Sequence, residues 1–140
     1  MSWERVRQIV TAAGHGYVAS VWQDQPRVRP MAFVMTEEGR LWSSTWACSG
    51  KLREFAENPR VEVCFLSPEG VHLRIEGRIQ TAGGPAEKSR LLALNPRVGR
   101  HFRDAQDPNY VLVELVPTRI RWKGPGFGEY AELAELPVHS

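Results

Sequence analysis

Two cysteines in 140 residues, Cys48 and Cys64, are too few for a disulfide framework or a zinc set. No apolar run approaches the roughly 20 residues that a membrane-spanning helix needs, so no membrane contact is expected. An apolar signal core is also missing, because Glu4, Arg5 and Arg7 already follow a helical pattern at the N-terminus. These absences fit a cytoplasmic protein in a reducing compartment. Excess charge is small. With 18 Lys+Arg against 16 Asp+Glu the net charge is +2, which argues against general nucleic-acid binding. No Ser-His-Asp order, H-E-x-x-H, G-x-x-x-x-G-K-[ST] or metal-spaced cysteine pair occurs, so triad hydrolysis and zinc catalysis are not expected. Internal repeats and long linkers are lacking too, and residues 1–140 read as one domain able to bury roughly two-thirds of its unfolded surface.

What is present is a succession of short β-type runs. Ser2 is placed to cap a first helix whose Val6, Ile9 and Val10 share a face, and Gly14-His15-Gly16 breaks it. Tyr17 to Trp22 reads as a strand, Asp24-Gln25-Pro26 as a turn, and Val28 to Met35 as the next strand. After the turn Thr36 to Gly39, Leu41 to Thr45 gives a third strand. The short connections predict an antiparallel meander for these three. Ser49 to Glu57 changes period: Leu52, Phe55 and Ala56 form one face of a helix, with Lys51, Arg53, Glu54 and Glu57 pointing elsewhere. Val61, Val63 and Phe65 alternate as a half-buried strand. A longer strand carries Leu73, Ile75 and Ile79 through Gly77, where a bulge or close backbone approach is expected. Pro85 opens a helix to about Leu94. A basic loop to Asn109 follows, then two β runs, Tyr110 to Val116 and Arg119 to Trp122, and a glycine-rich loop before the tail. Six or seven strands at hairpin spacing with few short helices suggest a mainly β fold, a small closed or split barrel, with a Greek-key sandwich as the rival.

One constellation carries chemistry. Arg27 and Arg29 are two apart on a strand and so share a face. Ser43-Ser44-Thr45 places hydroxyls at a strand end, and Ser49-Gly50-Lys51 opens a helix. Guanidinium, hydroxyl, ammonium and free helix N–H groups together are what a phosphate monoester needs. From spacing alone, a solvated strand face and an ordinary capped helix account for the same residues equally well.

The order of these pieces resembles the pyridoxamine-5′-phosphate oxidase-like FMN-binding split-barrel family, and its general-stress-protein branch more loosely. The matching pieces are a strand opened by Arg29, the Gly39 turn, a strand ending in Thr45, then Ser49 and Lys51 on a helix closed by Asn58-Pro59-Arg60-Val61. Val71 to Arg78 resembles the family's next strand, with Ile79 where a small residue is usual. The resemblance implies an antiparallel Greek-key split β-barrel that binds FMN. Arg29 and Lys51 would hold the phosphate, with Thr45 and Ser49 donating hydroxyl hydrogen bonds. Pro30, Met31, Ala32, Phe33 and Val34 would run along the isoalloxazine edge, and Ser44 would sit beside Thr45 at the ring or ribityl chain. His72 stands where the oxidases carry a glutamine near the flavin, and Trp122 and Trp46 are further candidates for ring contact. Gly50 replaces a second basic residue usual in vitamin B6 oxidases, and their C-terminal arginine–histidine–arginine pattern is missing.

The function implied is an FMN-dependent oxidoreductase that moves hydride between a small molecule, NAD(P)H included, and an acceptor. A non-catalytic flavin store or sensor is the alternative, as is a relative that binds deazaflavin F420 or haem. A homodimer with the flavin at its interface is also implied. Outside this set, His15 reads as a turn residue, Cys48 and Cys64 as passive thiols, and Arg97, Arg100, His101 and Arg103 as a solvated basic loop.

Overall fold

The structure, a computed structural model, describes residues 1–136. Ser2 starts α1 (Trp3–Ala13) by accepting a hydrogen bond from the Arg5 amide at 3.1 Å, and Val6, Ile9 and Val10 are buried on one face. β1 (His15–Trp22) and β2 (Gln25–Ala32) form a hairpin through Gln23 and Asp24, both at positive φ. Such two-residue turns match the twist of the flanking strands. The turn therefore lies one residue earlier than expected, and Gln25 and Pro26 pair with Trp22 and Val21.

β3 (Val34–Met35), β4 (Leu41–Trp46), α2 (Gly50–Glu57), β5 (Arg60–Leu66) and β6 (His72–Thr81) follow. Then come α3 (Pro85–Leu94), a 3-10 helix Pro96–Arg100 inside the expected basic loop, β7 (Tyr110–Lys123) and the short β8 (Ala131–Glu132). All pairings are antiparallel, in the order β2-β1-β5-β6-β7-β4-β3, with β8 beside β7. This single curled sheet is a split β-barrel, not a sandwich.

The strand expected over Val28 to Met35 is broken at Phe33. Met31, Phe33 and Met35 keep the alternation and all face the core, so the apolar pattern runs straight through the break. Hydrogen-bond partners change, which alternation does not register. β2 pairs with β1 and β3 with β4, so the two edges of the sheet are joined by one residue. The expected meander holds in part: β1 pairs with β2 and β3 with β4, but β2 itself does not pair with β4, whose other neighbour is β7.

The two β runs expected near the C-terminus are one strand of 14 residues. Pro117 lies opposite Gly77, where the β6–β7 register shifts between Glu76 and Gly77. A proline without an N–H is tolerated there because the ladder is already interrupted. At Gly77 an added Cβ would lie 2.3 Å from the Val116 carbonyl oxygen, so the close approach excludes any side chain.

The main core fills the curl, where Val18, Phe33, Val63, Phe65, Ile75 and Leu115 meet the apolar face of α1 and Phe55 of α2. Phe33 packs edge-on against Phe65 at 5.7 Å. A second cluster lies on the outer side of β4 and β7, under α3 and the 3-10 helix, and contains Trp42, Leu91, Val98, Phe102, Tyr110 and Leu112. Tyr110 stacks on Phe102 at 4.7 Å and donates its hydroxyl to the Lys88 carbonyl at 3.0 Å. Burial pushes its phenol up to about 12.

Candidate functional site

Arg29 pairs with Val18 and Arg27 with Ser20, positions buried on β1, so both arginines point to the inner face of β2. Arg29 Nη1 donates to Ser20 Oγ at 2.7 Å and reaches the Val18 carbonyl at 3.4 Å. Its guanidinium lies 5.2 Å from the centre of the Phe55 ring, and its Nη2 is 3.6 Å from Glu54. Arg27 approaches the same Glu54 oxygen at 2.9 Å without hydrogen-bond alignment. Ser49 caps α2, its hydroxyl accepting from the Lys51 amide at 3.4 Å.

Lys51 and Glu54 depart from the solvated helix face expected of them. The Glu54 side chain is 14% exposed, and Lys51 is half-buried. Burial lowers the Lys51 pKa, and the nearby Arg29 charge lowers it further. Burial also lowers the Arg29 pKa, with Glu54 opposing and Arg27 reinforcing the shift. Two arginines thus share one carboxylate, and Lys51 beside them has no carboxylate partner among the described residues. Arg29, Lys51 and Ser49 are brought together. Glu54 and Phe55 join them and were missed by sequence reasoning; the acid four residues from Ser49's helix start, opposite two strand arginines, was the available signal.

A second group gathers elsewhere. Ala32, Phe33, Val34 and Ser44 border a cavity of about 500 Å³ between α1, the β2–β3 break, β4 and the 3-10 helix. Leu41 belongs to the inner core and Trp42 to the outer cluster, so alternation sends Ser44 outward and buried Thr45 inward. Ser44 and Thr45 are chain neighbours on opposite faces. Met31 is buried in the core, and Pro30 lies by a shallow pocket with Tyr17 and Leu66. Phe33 is paired in neither adjoining ladder.

His72 and Trp122 are not brought to either group. His72 begins β6 opposite Lys123, and Trp122 lies opposite Leu73 and Ala131. The hydroxyl of Tyr130 is 3.5 Å from His72 Nδ1. Leu52 and Phe55 of α2 adjoin Gln80 and Thr81 at the other end of β6, about 26 Å away at roughly 3.3 Å per residue. Trp46 packs on Phe102 at 5.0 Å. Cys48 is exposed, and burial pushes the Cys64 thiol up. Among the described residues no group of three or more His, Cys, Asp or Glu is arranged to hold a metal ion, and no helix is long and apolar enough to cross a membrane.

The family model described as pyridoxamine 5′-phosphate oxidase matches residues 2–123. Among solved structures, general stress protein 26 from Bacillus anthracis is 25% identical with a TM-score of 0.76, over 94% of this chain and 98% of that one. A protein of the nimc/nima family from Clostridium acetobutylicum is 22% identical with a TM-score of 0.79, over 93% and 90%. A heme binding protein from Mycobacterium smegmatis shares the fold at 15% identity and a TM-score of 0.74, over 94% of this chain and 57% of that one. No curated protein matches the sequence.

Proposed function

The chain belongs to the pyridoxamine 5′-phosphate oxidase family, and from that premise we propose that it is an FMN-dependent oxidoreductase acting on a small molecule, with NAD(P)H as its candidate hydride donor. The observation that carries this reading is Lys51, a half-buried ammonium beside Arg29 with no acid to balance it. Buried cations are costly unless an anion joins them. Arg27, Arg29 and Lys51 against Glu54 leave two positive charges over, which suits a phosphate monoester of about −1.5 to −2 charge. The Ser49 hydroxyl and the Gly50 amide at the start of α2 add neutral donors.

When bound, FMN supplies the hydride and electron chemistry, which side chains alone lack. The chain's own residues anchor and orient. Arg29 and Lys51 would hold the phosphate, while the unladdered backbone of Phe33, beside Ala32 and Val34, offers polar groups to a ring edge. Gly50 leaves the helix start one cation short of the vitamin B6 oxidase pattern, so a substrate other than pyridoxamine phosphate is proposed.

A homodimer belongs to the same reading. The outer face of β2, β1 and β5 exposes Val28, Tyr17, Val21 and Leu66, an apolar surface of the kind that marks interfaces. With the phosphate at Arg29 and Lys51, His72 and Trp122 reach a flavin only across such an interface.

The visible spectrum of the purified protein, followed by FMN and riboflavin titrations, tests the assignment. Flavin absorbance with FMN bound much more tightly than riboflavin is expected. Haem has one foothold here, because His15 and His101 border the same cavity. A Soret band without flavin peaks would move the assignment to haem, and a single near-violet band would move it to F420. Light scattering and flavin absorbance across a dilution series test the dimer; a monomer that keeps its flavin overturns it.

A further inference from the structure

β6 outruns its neighbour β5. Their register ends with Arg60 opposite Arg78, and beyond it the Ile79 amide makes one further bond, to the Pro59 carbonyl at 2.9 Å. Gln80 and Thr81 pair with β7 alone. The Ala82 amide donates to the Leu112 carbonyl at 3.0 Å, so by antiparallel alternation the N–H and C=O of Thr81 turn away from β7, to the side that β5 leaves open. On that side α2 and the overhanging strand enclose a groove of about 350 Å³. Leu52, Phe55, Ile79 and Val113 give it apolar walls, Arg78, Gln80 and Thr81 its polar ones, and no Asp or Glu lines it.

The charge beside this groove is unmatched as well. The Ile79–Pro59 bond makes Arg60 and Arg78 a non-hydrogen-bonded pair, the arrangement in which facing side chains lie closest. Like charges directly opposite are destabilising. The acids next along the same face, Glu62 and Glu76, are taken up by Arg74, Arg119 and Arg121, and neither Arg60 nor Arg78 has an acid partner among the described residues. We propose that the groove binds a small carboxylate or phosphate with an apolar body, its oxygens held by the Arg78 guanidinium and the Thr81 amide and its body packed on Leu52 and Phe55. Charge-assisted bonds to such an anion are the strong ones, and its charge relieves the repulsion between Arg60 and Arg78. The site is separate from the proposed phosphate anchor, because neither Arg29 nor Lys51 lines the groove. It does not rest on the FMN reading.

Amide-resolved NMR titration of the full chain with phenylacetate, phenyl phosphate and phenylacetamide tests it. The two anions should shift the Gln80 and Thr81 amides and bind at least about tenfold more tightly than neutral phenylacetamide. Their order tells carboxylate from phosphate. Arg78→Ala should weaken anion binding about tenfold, with Arg78→Lys recovering part of it, and Arg60→Ala about threefold. Arg100→Ala, an exposed residue outside the groove, should change nothing. Arg60 and Arg78 are exposed, and without ligand neither alanine variant should melt below the parent, since each removes the repulsion. Equal binding of phenylacetate and phenylacetamide, no binding of either anion, shifts centred on Ser49 to Lys51 instead of Gln80 and Thr81, or equal losses in Arg78→Ala and Arg100→Ala overturns the proposal. Groove binding that persists in a protein unable to bind FMN removes the FMN reading alone.

Discussion

Two arginine-rich regions lie on opposite faces of the same sheet, and they differ in whether acids match them. On the outer face Arg74, Arg119 and Arg121 meet Glu62, Glu76 and Glu132, three against three. Tyr130 lies under Arg74 and Arg121, 5.2 and 5.5 Å from their guanidinium carbons. On the inner face, beneath α2, Arg27 and Arg29 share Glu54, and Lys51 beside them pairs with no acid among the described residues. The outer network balances its own charge, although Glu76 Oε2 and Arg121 Nε are left without hydrogen-bond partners, and so has little excess charge with which to recruit an anion. The inner one is short of negative charge, and under the proposed function a phosphate fills that half-buried shortage. Counting arginines does not separate the two regions; counting their acids does.

The largest test of that difference is removal of one cation from each. Arg29→Ala or Lys51→Ala should lose a charge-assisted contact worth about 1.5–3 kcal/mol, roughly ten- to a hundredfold in FMN affinity. Riboflavin affinity should barely change, because it has no phosphate. Fluorescence titration with both ligands reads this directly, and FMN binding at parental strength in both variants would falsify the anchor.

A smaller effect is expected from Glu54→Gln, which deepens the shortage. Glu54 competes with a phosphate for Arg29, and relief from one partly solvated charge contact is worth about 0.5–1 kcal/mol, so FMN should bind about threefold tighter. Weaker binding would mean that Glu54 acts by holding Arg29 in place.

The third test uses pH. Lys51 in the folded chain has a pKa below its ordinary value of 10.5, mainly through burial. As pH rises through that lowered value the ammonium is lost, so FMN affinity should fall while still below pH 10.5. Ligand-free stability should move the other way. The unfolded chain binds the proton more tightly than the folded one, so this lysine opposes folding at neutral pH, and the penalty fades as pH rises through the window. Lys51→Met should abolish both trends. Binding and melting measured between pH 8 and pH 11 on the order of half a unit apart are sufficient.

The smallest effect belongs to the balanced face. Arg74→Ala should cost under about 1 kcal/mol, because the Arg74–Glu62 pair is about a third exposed and screened. FMN affinity should stay unchanged. A tenfold loss of FMN on Arg74→Ala would erase the distinction between the two regions.

Much of this was legible in the sequence, for identifiable reasons. Helix starts at Ser2 and Ser49, Pro85 opening α3, and the irregularity at Gly77 are local events whose chemistry sits in one or two residues. The pairing of β4 with β7 and the break at Phe33 were not legible, because Met31, Phe33 and Met35 alternate identically whichever neighbour their backbone meets. Pro117 misled for the complementary reason: alone it signals a strand end, and only its partner Gly77, far off in sequence, makes it harmless. In the site, Arg29, Ser49 and Lys51 were readable as one constellation. Glu54 was not, since helical periodicity placed it on the wet side and only the arginines of β2 draw it in.

The break at Phe33 also governs how two copies can meet. It leaves the sheet with two free margins, β2 and β3. β2 carries Pro26 and Pro30, which cannot donate to a neighbouring chain, and β3 is only two residues long. Neither margin can serve as a template for adding strands, so runaway edge-to-edge polymerisation is blocked on both sides. Any pairing of this molecule with itself has to be made face to face.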